Sequence, residues 1–242
     1  MAAKTSISET KKKTKGTKKS VKKTQKKKRV SYIRVYDHLT KSQIDVLGEV
    51  ANISMGNAAT TLSMMLNHPV SITAPMVETI QRRDALEGFE GVCTFVQIRY
   101  VKGLYGSNVF ILKDHDMLKI TDMMMGGEGQ VEEGGELNEL HMSAASEAMN
   151  QMMGTSATSM SCMLAQTVDI STPALSRIDV ESVRTFDRMF DSPLDTFIRI
   201  TFDITIENHI HSSMIQLYPI QFAVDMCKLF RKSKLDKKKQ PV

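Results

Sequence analysis

Two segments of the chain carry the same pattern of hydrophobic and polar positions. Residues 45–75 and 143–173 align without a gap at an offset of 98, and 12 of the 31 positions are identical. In each segment, apolar and small residues recur at the spacing of one buried helix face. A β-branched, alternating stretch follows and ends at Pro75 or Pro173. The pattern predicts an internal duplication in which each copy starts with helical structure and continues into a strand.

The rest of the pattern extends each copy to the order α-α-β-β-β-α. Thr40 and Gln43 are spaced as a capping box, which predicts a helix start at that point. Gly56 and its counterpart Gly154 are expected to divide each long helical region into two segments that bend or pack closely. The other predicted elements are strands at 70–75, 92–100, 105–112, 168–171, 182–186, 197–207 and 211–217, and helices at 116–125 and 219–230.

Neither copy could bury its sheet alone. We therefore predict an α/β (α+β) fold, a pseudo-twofold, duplicated three-layer α/β/α sandwich with a mostly antiparallel sheet. The predicted domain covers residues 31–230, with repeats at about 40–125 and 137–230. An acidic, glycine-rich segment at 126–135 joins the repeats, and it lacks the spacing of a dinucleotide or P-loop fingerprint.

Charge is distributed unevenly along the chain. Residues 1–29 carry 13 Lys and Arg against one Glu, and residues 231–242 carry six against one Asp. Since the whole chain is +5, the body between these termini is −12. We expect residues 1–30 to be a disordered Lys-rich tail and 231–242 a basic C-terminal tail. A nucleic-acid or anionic-membrane arm is one interpretation of the first tail. A solubilising tail is favoured, because no aromatic residues are interleaved.

Composition excludes several other classes of protein. No apolar run approaches the 18 residues of a membrane span, and no secretory signal opens the chain. Three scattered cysteines suit a reducing cytosol and argue against a disulfide framework. His209 and His211 form either half of a metal site or a pair of surface histidines, and the second interpretation is favoured because no third ligand is evident.

The repeated polar pair is the best candidate for chemistry. Glu49 and Asn52, and in the second copy Glu147 and Asn150, lie three residues apart, which places each pair on one helix face. A carboxamide can donate to and accept from a water molecule and so aim it at a phosphorus atom. A carboxylate can bind a lysine of a docked partner. Packing explains the repetition of core residues, whereas it gives no reason for exposed polar residues to repeat.

The motif Glu-x-x-Asn followed by proline 23 residues later resembles the signature of the CheC/CheX/FliY family of chemotaxis phosphatases. Both copies match it, at Asp45, Glu49, Asn52 and Pro75 and at Ser143, Glu147, Asn150 and Pro173. The resemblance covers about residues 33–230. Within this family the sequence resembles the FliY middle domain most, without the C-terminal FliN-type domain of FliY proteins. Asp45 and Ser143 either support the site or act as first-turn helix residues, and the second interpretation is favoured.

The resemblance implies a cytoplasmic enzyme, free or associated with the flagellar basal body, that hydrolyses the aspartyl phosphate of the response regulator CheY. Glu49 and Glu147 would contact a lysine of the regulator, and Asn52 and Asn150 would orient the attacking water. The regulator would carry the Mg²⁺, and the chain would have no cofactor of its own. Other implied partners are flagellar switch proteins or a CheD-like deamidase, whereas a small-molecule substrate is not implied and nucleic acid is not favoured as a partner. The alternative is a non-catalytic, FliM-like switch scaffold that binds CheY.

Overall fold

The computed structural model describes residues 38–132, 134–181 and 195–239, with side chains as far as residue 236. The expected N-terminal tail and the strand predicted at 182–186 lie outside these ranges. Within them the chain forms four α-helices and eight strands. The helices are α1 (Lys41–Leu66), α2 (Asp114–Met124), α3 (Glu139–Leu164) and α4 (Ile220–Lys239). The strands are β1 (Val70–Ile72), β2 (Met76–Gln81), β3 (Val92–Lys102), β4 (Gly106–Lys113), β5 (Asp169–Ile170), β6 (Ala174–Asp179), β7 (Thr196–Ile206) and β8 (Ile210–Pro219).

The long helices α1 and α3 show the duplication directly. The predicted capping box is confirmed, since the Thr40 hydroxyl accepts from the Gln43 backbone N–H and the Gln43 side chain accepts from the Thr40 N–H. All nine buried positions of α1 recur in α3 at the offset of 98. The predicted division at Gly56 and Gly154 is wrong, because each helix runs unbroken for 26 residues. A glycine in a helix interior costs stability without ending the helix.

The eight strands form one sheet in which every pairing is antiparallel. Its order is β1-β7-β8-β4-β3-β5, with β2 also pairing with β7 and β6 also pairing with β3. The first repeat thus places β1 and β2 on a strand of the second repeat, and the second repeat places β5 and β6 on a strand of the first. Exchange of strands explains why neither repeat completes a sheet alone, as the sequence predicted.

Pro75 and Pro173 lie where the exchanged strands are interrupted. Ile72 pairs with Ile204 and Met76 with Thr201, so four steps along the first repeat oppose three steps along β7. A proline has no backbone N–H for the ladder and suits such an irregular position. The motif proline therefore separates β1 from β2, and β5 from β6.

Side-chain alternation gives the sheet two buried faces. The four helices cover one face, where Tyr100 of β3 lies against Met160 of α3 and Phe222 of α4. The other face carries a second apolar cluster, which includes Phe95, Phe197 and Leu217. In the described part of the chain this cluster is closed by the segment around the 3₁₀ turn Arg82–Asp84. The fold class is confirmed, with this 3₁₀ segment in the outer layer opposite the helices.

The last helix is longer than expected. It was predicted to end near residue 230, with a basic tail from 231, but α4 continues to Lys239. Two contacts explain the extension: the Ser233 hydroxyl donates to the Met163 carbonyl at 2.7 Å, and Arg231 donates to Ser42 at 3.0 Å. The residues assigned to a tail therefore pack on the end of the long helix pair. None of the described helices has the length and apolar character needed to cross a membrane.

Candidate active site

The predicted pair of the first repeat lies on the outer face of α1. Glu49 and Asn52 are both exposed, while the neighbouring Val50 and Ala51 are buried. The helix therefore holds the two polar side chains toward solvent by burying its other side. At seven residues from Glu49 the same face carries Gly56, where an added Cβ would meet no heavy atom within 4 Å. Open space thus adjoins Asn52 along the helix.

The second repeat reproduces this arrangement on α3. Glu147 and Asn150 are exposed, and Gly154 follows at the same spacing with no heavy atom within 4 Å of an added Cβ. Thr158 comes next on this face and donates its hydroxyl to the Gly154 carbonyl at 3.0 Å, as Thr60 does to the Gly56 carbonyl at 3.1 Å in the first repeat. Both copies therefore present the same four-residue stripe, a carboxylate, a carboxamide, a glycine and a threonine.

Polar contacts between α1 and α3 fix the relative direction of the helices. Asn57 donates to Ser159 at 2.8 Å, and Thr61 donates to Thr155 at 2.9 Å. A step forward along α1 is matched by an equal step backward along α3, so the two helices are antiparallel. Continuing that register places Ala59 opposite its repeat counterpart Ala157.

The antiparallel register separates the two candidate centres. From the crossing point, Asn52 and Asn150 lie seven residues away in opposite directions, which is about 21 Å between them along the helix axis at 1.5 Å per residue. The same calculation gives about 30 Å between Glu49 and Glu147. The two pairs are therefore independent centres, since a single phosphoryl group cannot contact both.

The two glutamates differ in what they contact. The Lys234 ammonium of α4 lies 3.1 Å from both carboxylate oxygens of Glu49. The ammonium also lies 4.4 Å from the centroid of the Phe230 ring, and this cation–π contact helps to hold the Lys234 side chain in place. Glu49 is therefore already paired with a cation supplied by the chain itself.

Glu147 has a neutral neighbour instead. Its carboxylate accepts a hydrogen bond of 2.8 Å from Gln151, one turn along α3. Across the described ranges, no Lys or Arg side chain forms an ion pair with Glu147. The two pairs thus occupy equivalent positions, but only the glutamate of the first pair contacts a cationic side chain. Sequence reasoning missed Lys234, which is 185 residues from Glu49 in a run of basic residues that gives no signal of this contact.

The two residues that open the motif do not lie in the first helical turn. Asp45 and Ser143 are each the fifth residue of a helix, beginning at Lys41 and Glu139. The favoured interpretation of both as first-turn residues is therefore wrong. Both are exposed one turn before the glutamate, on the side of each helix that carries the candidate pair.

Each centre offers one carboxylate and one carboxamide, a set suited to binding a cation and positioning a water molecule. In the described ranges, the group of His, Cys, Asp and Glu side chains arranged to hold a metal ion lies elsewhere, at His68, Glu207 and His209. His68 is 16 residues beyond Asn52, or about 24 Å along α1 and its extension. Metal binding there would not supply the chemistry of the first centre.

Comparison with known proteins agrees with the fold and with the repeated motif. The sequence model of the CheC-like family matches residues 43–78 and 140–177, which contain the two glutamate–asparagine pairs. The crystal structure of FliY from Thermotoga maritima superposes with a TM-score of 0.75 at 38% sequence identity, covering 81% of this chain and 98% of that one. The chain belongs to the CheC-like family.

Among individual relatives, the flagellar motor switch phosphatase FliY of Bacillus subtilis (strain 168) is 38% identical over 190 residues. That alignment covers 78% of this chain and 50% of the relative, so the chain spans about half the length of this curated protein. FliM from H. pylori, in a complex with SpeE, has a TM-score of 0.67 at 14% identity, covering 82% of this chain and 99% of that one. This last similarity is one of fold.

Proposed function

We propose that the chain is a phosphatase that hydrolyses the aspartyl phosphate of a CheY-type response regulator and so terminates its signal to the flagellar motor. One observation carries the proposal: an exposed carboxylate and an exposed carboxamide stand at equivalent places in both repeats, on helices whose other sides are buried. Packing requires neither side chain. The family of the chain and the name of its Bacillus relative support the same activity.

Asn52 and Asn150 orient the nucleophile in this proposal. The side-chain oxygen of a carboxamide accepts a hydrogen bond from a water molecule, and its nitrogen donates to the water or to a phosphoryl oxygen. Such a group holds the water in line with the bond from phosphorus to the aspartyl oxygen. A strong base is not needed, because the transition state of phosphoryl transfer is loose and demands little proton removal. The rate acceleration comes from positioning the water molecule, and each factor of ten in rate corresponds to about 1.4 kcal/mol of activation free energy.

Glu49 and Glu147 fix the docked regulator. A carboxylate that accepts from a lysine ammonium makes a charge-assisted hydrogen bond, which holds the regulator at a defined distance from the asparagine one turn away. The Mg²⁺ that neutralises the phosphoryl group belongs to the regulator. The glycine one turn after each asparagine has no side chain to protrude from the helix, and this gives the regulator room to approach.

The proposal places the protein in the cytoplasm, where the regulator is phosphorylated, with flagellar switch proteins or a CheD-like deamidase as further partners. A scaffold that binds the regulator without hydrolysing its phosphate is the alternative. The repeated asparagine distinguishes the two functions, because a scaffold can bind a lysine through the glutamate alone. Regulator binding without accelerated loss of phosphate would therefore support the scaffold.

The test is the decay of a CheY-type response regulator that has been phosphorylated with acetyl phosphate and freed of excess donor. Addition of the full chain is expected to shorten the lifetime of the phosphorylated form. Asn52→Ala and Asn150→Ala should each remove the contribution of one centre, and the double variant should lose at least about tenfold in rate. Binding of the phosphorylated regulator, measured separately, should change much less than the rate.

Asn57→Ala is the matched control, since Asn57 is also an exposed carboxamide of α1 but faces Ser159 of α3. This variant is expected to lose stability and to keep its activity. A double variant of Asn52 and Asn150 that hydrolyses the phosphate as fast as the parent would refute the mechanism. Equal losses in the Asn57 control would mean that the effect comes from helix packing.

A further inference from the structure

Three side chains with metal-binding atoms converge at one corner of the fold. His68, Glu207 and His209 each place one such atom within 4.8 Å of the other two. The His68 Nδ1 atom lies 2.7 Å from a Glu207 carboxylate oxygen, and the two imidazole rings meet edge to face with their centroids 5.0 Å apart. We call these three residues the corner cluster.

Two tight turns hold the corner cluster in place. His68 follows Asn67, which ends α1 in the left-handed conformation at φ 55°, and the His68 carbonyl accepts from Ser63 at 2.7 Å. Glu207 is itself left-handed at φ 41° in the turn between β7 and β8. The Glu207 backbone N–H donates to the Pro69 carbonyl at 3.1 Å, which joins the two turns.

The third member is fixed by its own backbone. The His209 N–H donates to the Ile206 carbonyl at 2.9 Å, and the His209 carbonyl accepts from Lys119 of α2 at 3.4 Å. All three side chains therefore start from backbone that is anchored by hydrogen bonds. Only rotation about side-chain bonds is needed to bring their ligand atoms around one ion. Anchored ligands of this kind lose little freedom on binding a metal.

The geometry points to a binding site for a first-row divalent transition metal, with Zn²⁺ as the expected ion, held by His68, Glu207 and His209. Two imidazole nitrogens and one carboxylate oxygen form a ligand set that zinc uses with a water molecule in the fourth position. Nitrogen ligands disfavour Mg²⁺ and Ca²⁺, which prefer oxygen. Ligand atoms at about 2.0–2.2 Å from a tetrahedral zinc lie about 3.2–3.6 Å apart. Small side-chain rotations bring the cluster to that spacing and open the 2.7 Å contact between His68 and Glu207.

Among the residues that the structure describes, the corner cluster is found once although the fold is duplicated. Gln166 stands at the position of His68 in the second repeat, where it donates to the Gly103 carbonyl at 3.0 Å. His211, two residues after His209, contacts Thr205 instead of the cluster, at 3.1 Å. The partner of His209 is thus His68, and a single ion per chain would connect the end of α1 in the first repeat to the β7–β8 turn of the second.

The experiment measures Zn²⁺ binding by calorimetry on the full chain after treatment with EDTA and removal of the chelator. A Cys162→Ser background removes the exposed thiol as a competing ligand. We expect one Zn²⁺ per chain and a rise in Tm of several degrees with Zn²⁺ in excess. Co²⁺ should give the visible absorption of a four-coordinate site with nitrogen ligands.

Variants separate the corner cluster from other histidines. His209→Ala should abolish the stoichiometric site, and Glu207→Gln should weaken it at least tenfold, while His211→Ala should bind as the parent does. His68→Gln introduces the residue that the second repeat already tolerates, so it tests the site even if His209→Ala does not fold. The proposal is overturned if the parent binds no Zn²⁺, or if His68→Gln and His209→Ala bind as the parent does.

Discussion

The ion pair between Lys234 and Glu49 makes the two centres unequal, and its removal gives a quantitative prediction. If Glu49 receives a lysine of the regulator, Lys234 occupies the place that the incoming lysine must take. Lys234→Met removes the ammonium and keeps an unbranched side chain to lie over Phe230. In an Asn150→Ala background, where only the first centre acts, we expect this change to lower the KM for the phosphorylated regulator.

The magnitude follows from the exposure of the pair. The Lys234 and Glu49 side chains are 56% and 44% exposed, so solvent screens their attraction. Ion pairs of this kind contribute about 0.2–1 kcal/mol, which corresponds to a fall in KM of about 1.4- to 5-fold. The value of kcat should stay unchanged, because Lys234 contacts the glutamate and not the asparagine. Added salt should shrink the difference between variant and parent.

The assay is steady-state hydrolysis with the regulator rephosphorylated by acetyl phosphate. Lys228→Met is the matched control, since Lys228 belongs to the same helix and forms a 2.8 Å ion pair with Asp225. This control should leave KM unchanged. The same Lys234 variant in an Asn52→Ala background should also have no effect, because only the second centre then acts. A KM that rises, or that falls equally in both backgrounds, would refute the reasoning.

Further predictions concern the glycines of the long helices and the cysteines. Gly56→Ala and Gly154→Ala should each raise the free energy of unfolding by about 0.5–1 kcal/mol in urea titrations, since both sites are helical and have room for a methyl group. A loss of stability would show that one helix is divided there after all. Native protein treated with a maleimide should be labelled at the exposed Cys162 alone, as mass spectrometry can check, and labelling of Cys93 or Cys227 without denaturant would contradict the packing. Burial raises the pKa of both buried thiols from 9.0 to about 11, with Asp114 adding to the shift at Cys93. The unfolded chain therefore ionises first, so their contribution to stability is complete below pH 9 and should fall between pH 9 and 11.

The sequence predicted those parts of the fold that depend on local pattern. Alternation and capping identified the start of α1 and the strands β3, β4, β7 and β8 close to their observed bounds. The strand β2 was missed, because Met76–Gln81 is stabilised by pairing with β7 more than 100 residues away. Local propensity predicts an interruption at Gly56, because glycine disfavours a helix, whereas the buried positions on both sides of Gly56 maintain α1.

The candidate sites likewise include residues that the sequence identified and contacts that only the tertiary structure shows. Repetition revealed the glutamates and asparagines, since identical exposed residues at one offset stand out against a core that repeats for packing reasons. The contact of Lys234 with Glu49 and the meeting of His68 with His209 depend on tertiary structure and leave no trace in local spacing. The sequence favoured His209 and His211 as surface histidines because no third ligand was evident, whereas the fold brings His209 to His68 and Glu207 and leaves His211 beside Thr205.

The exchange of strands between repeats has a consequence for synthesis on the ribosome. β1 and β2 leave the ribosome early, but their pairing partners in β7 lie 115 to 136 residues further along the chain. At about 5–20 residues per second, this segment waits roughly 6–27 s before its partner exists. Until α3 is complete at Leu164, α1 has no α3 to pack against, and its apolar face is available to chaperones. The duplication therefore commits the nascent chain to folding late, as one unit.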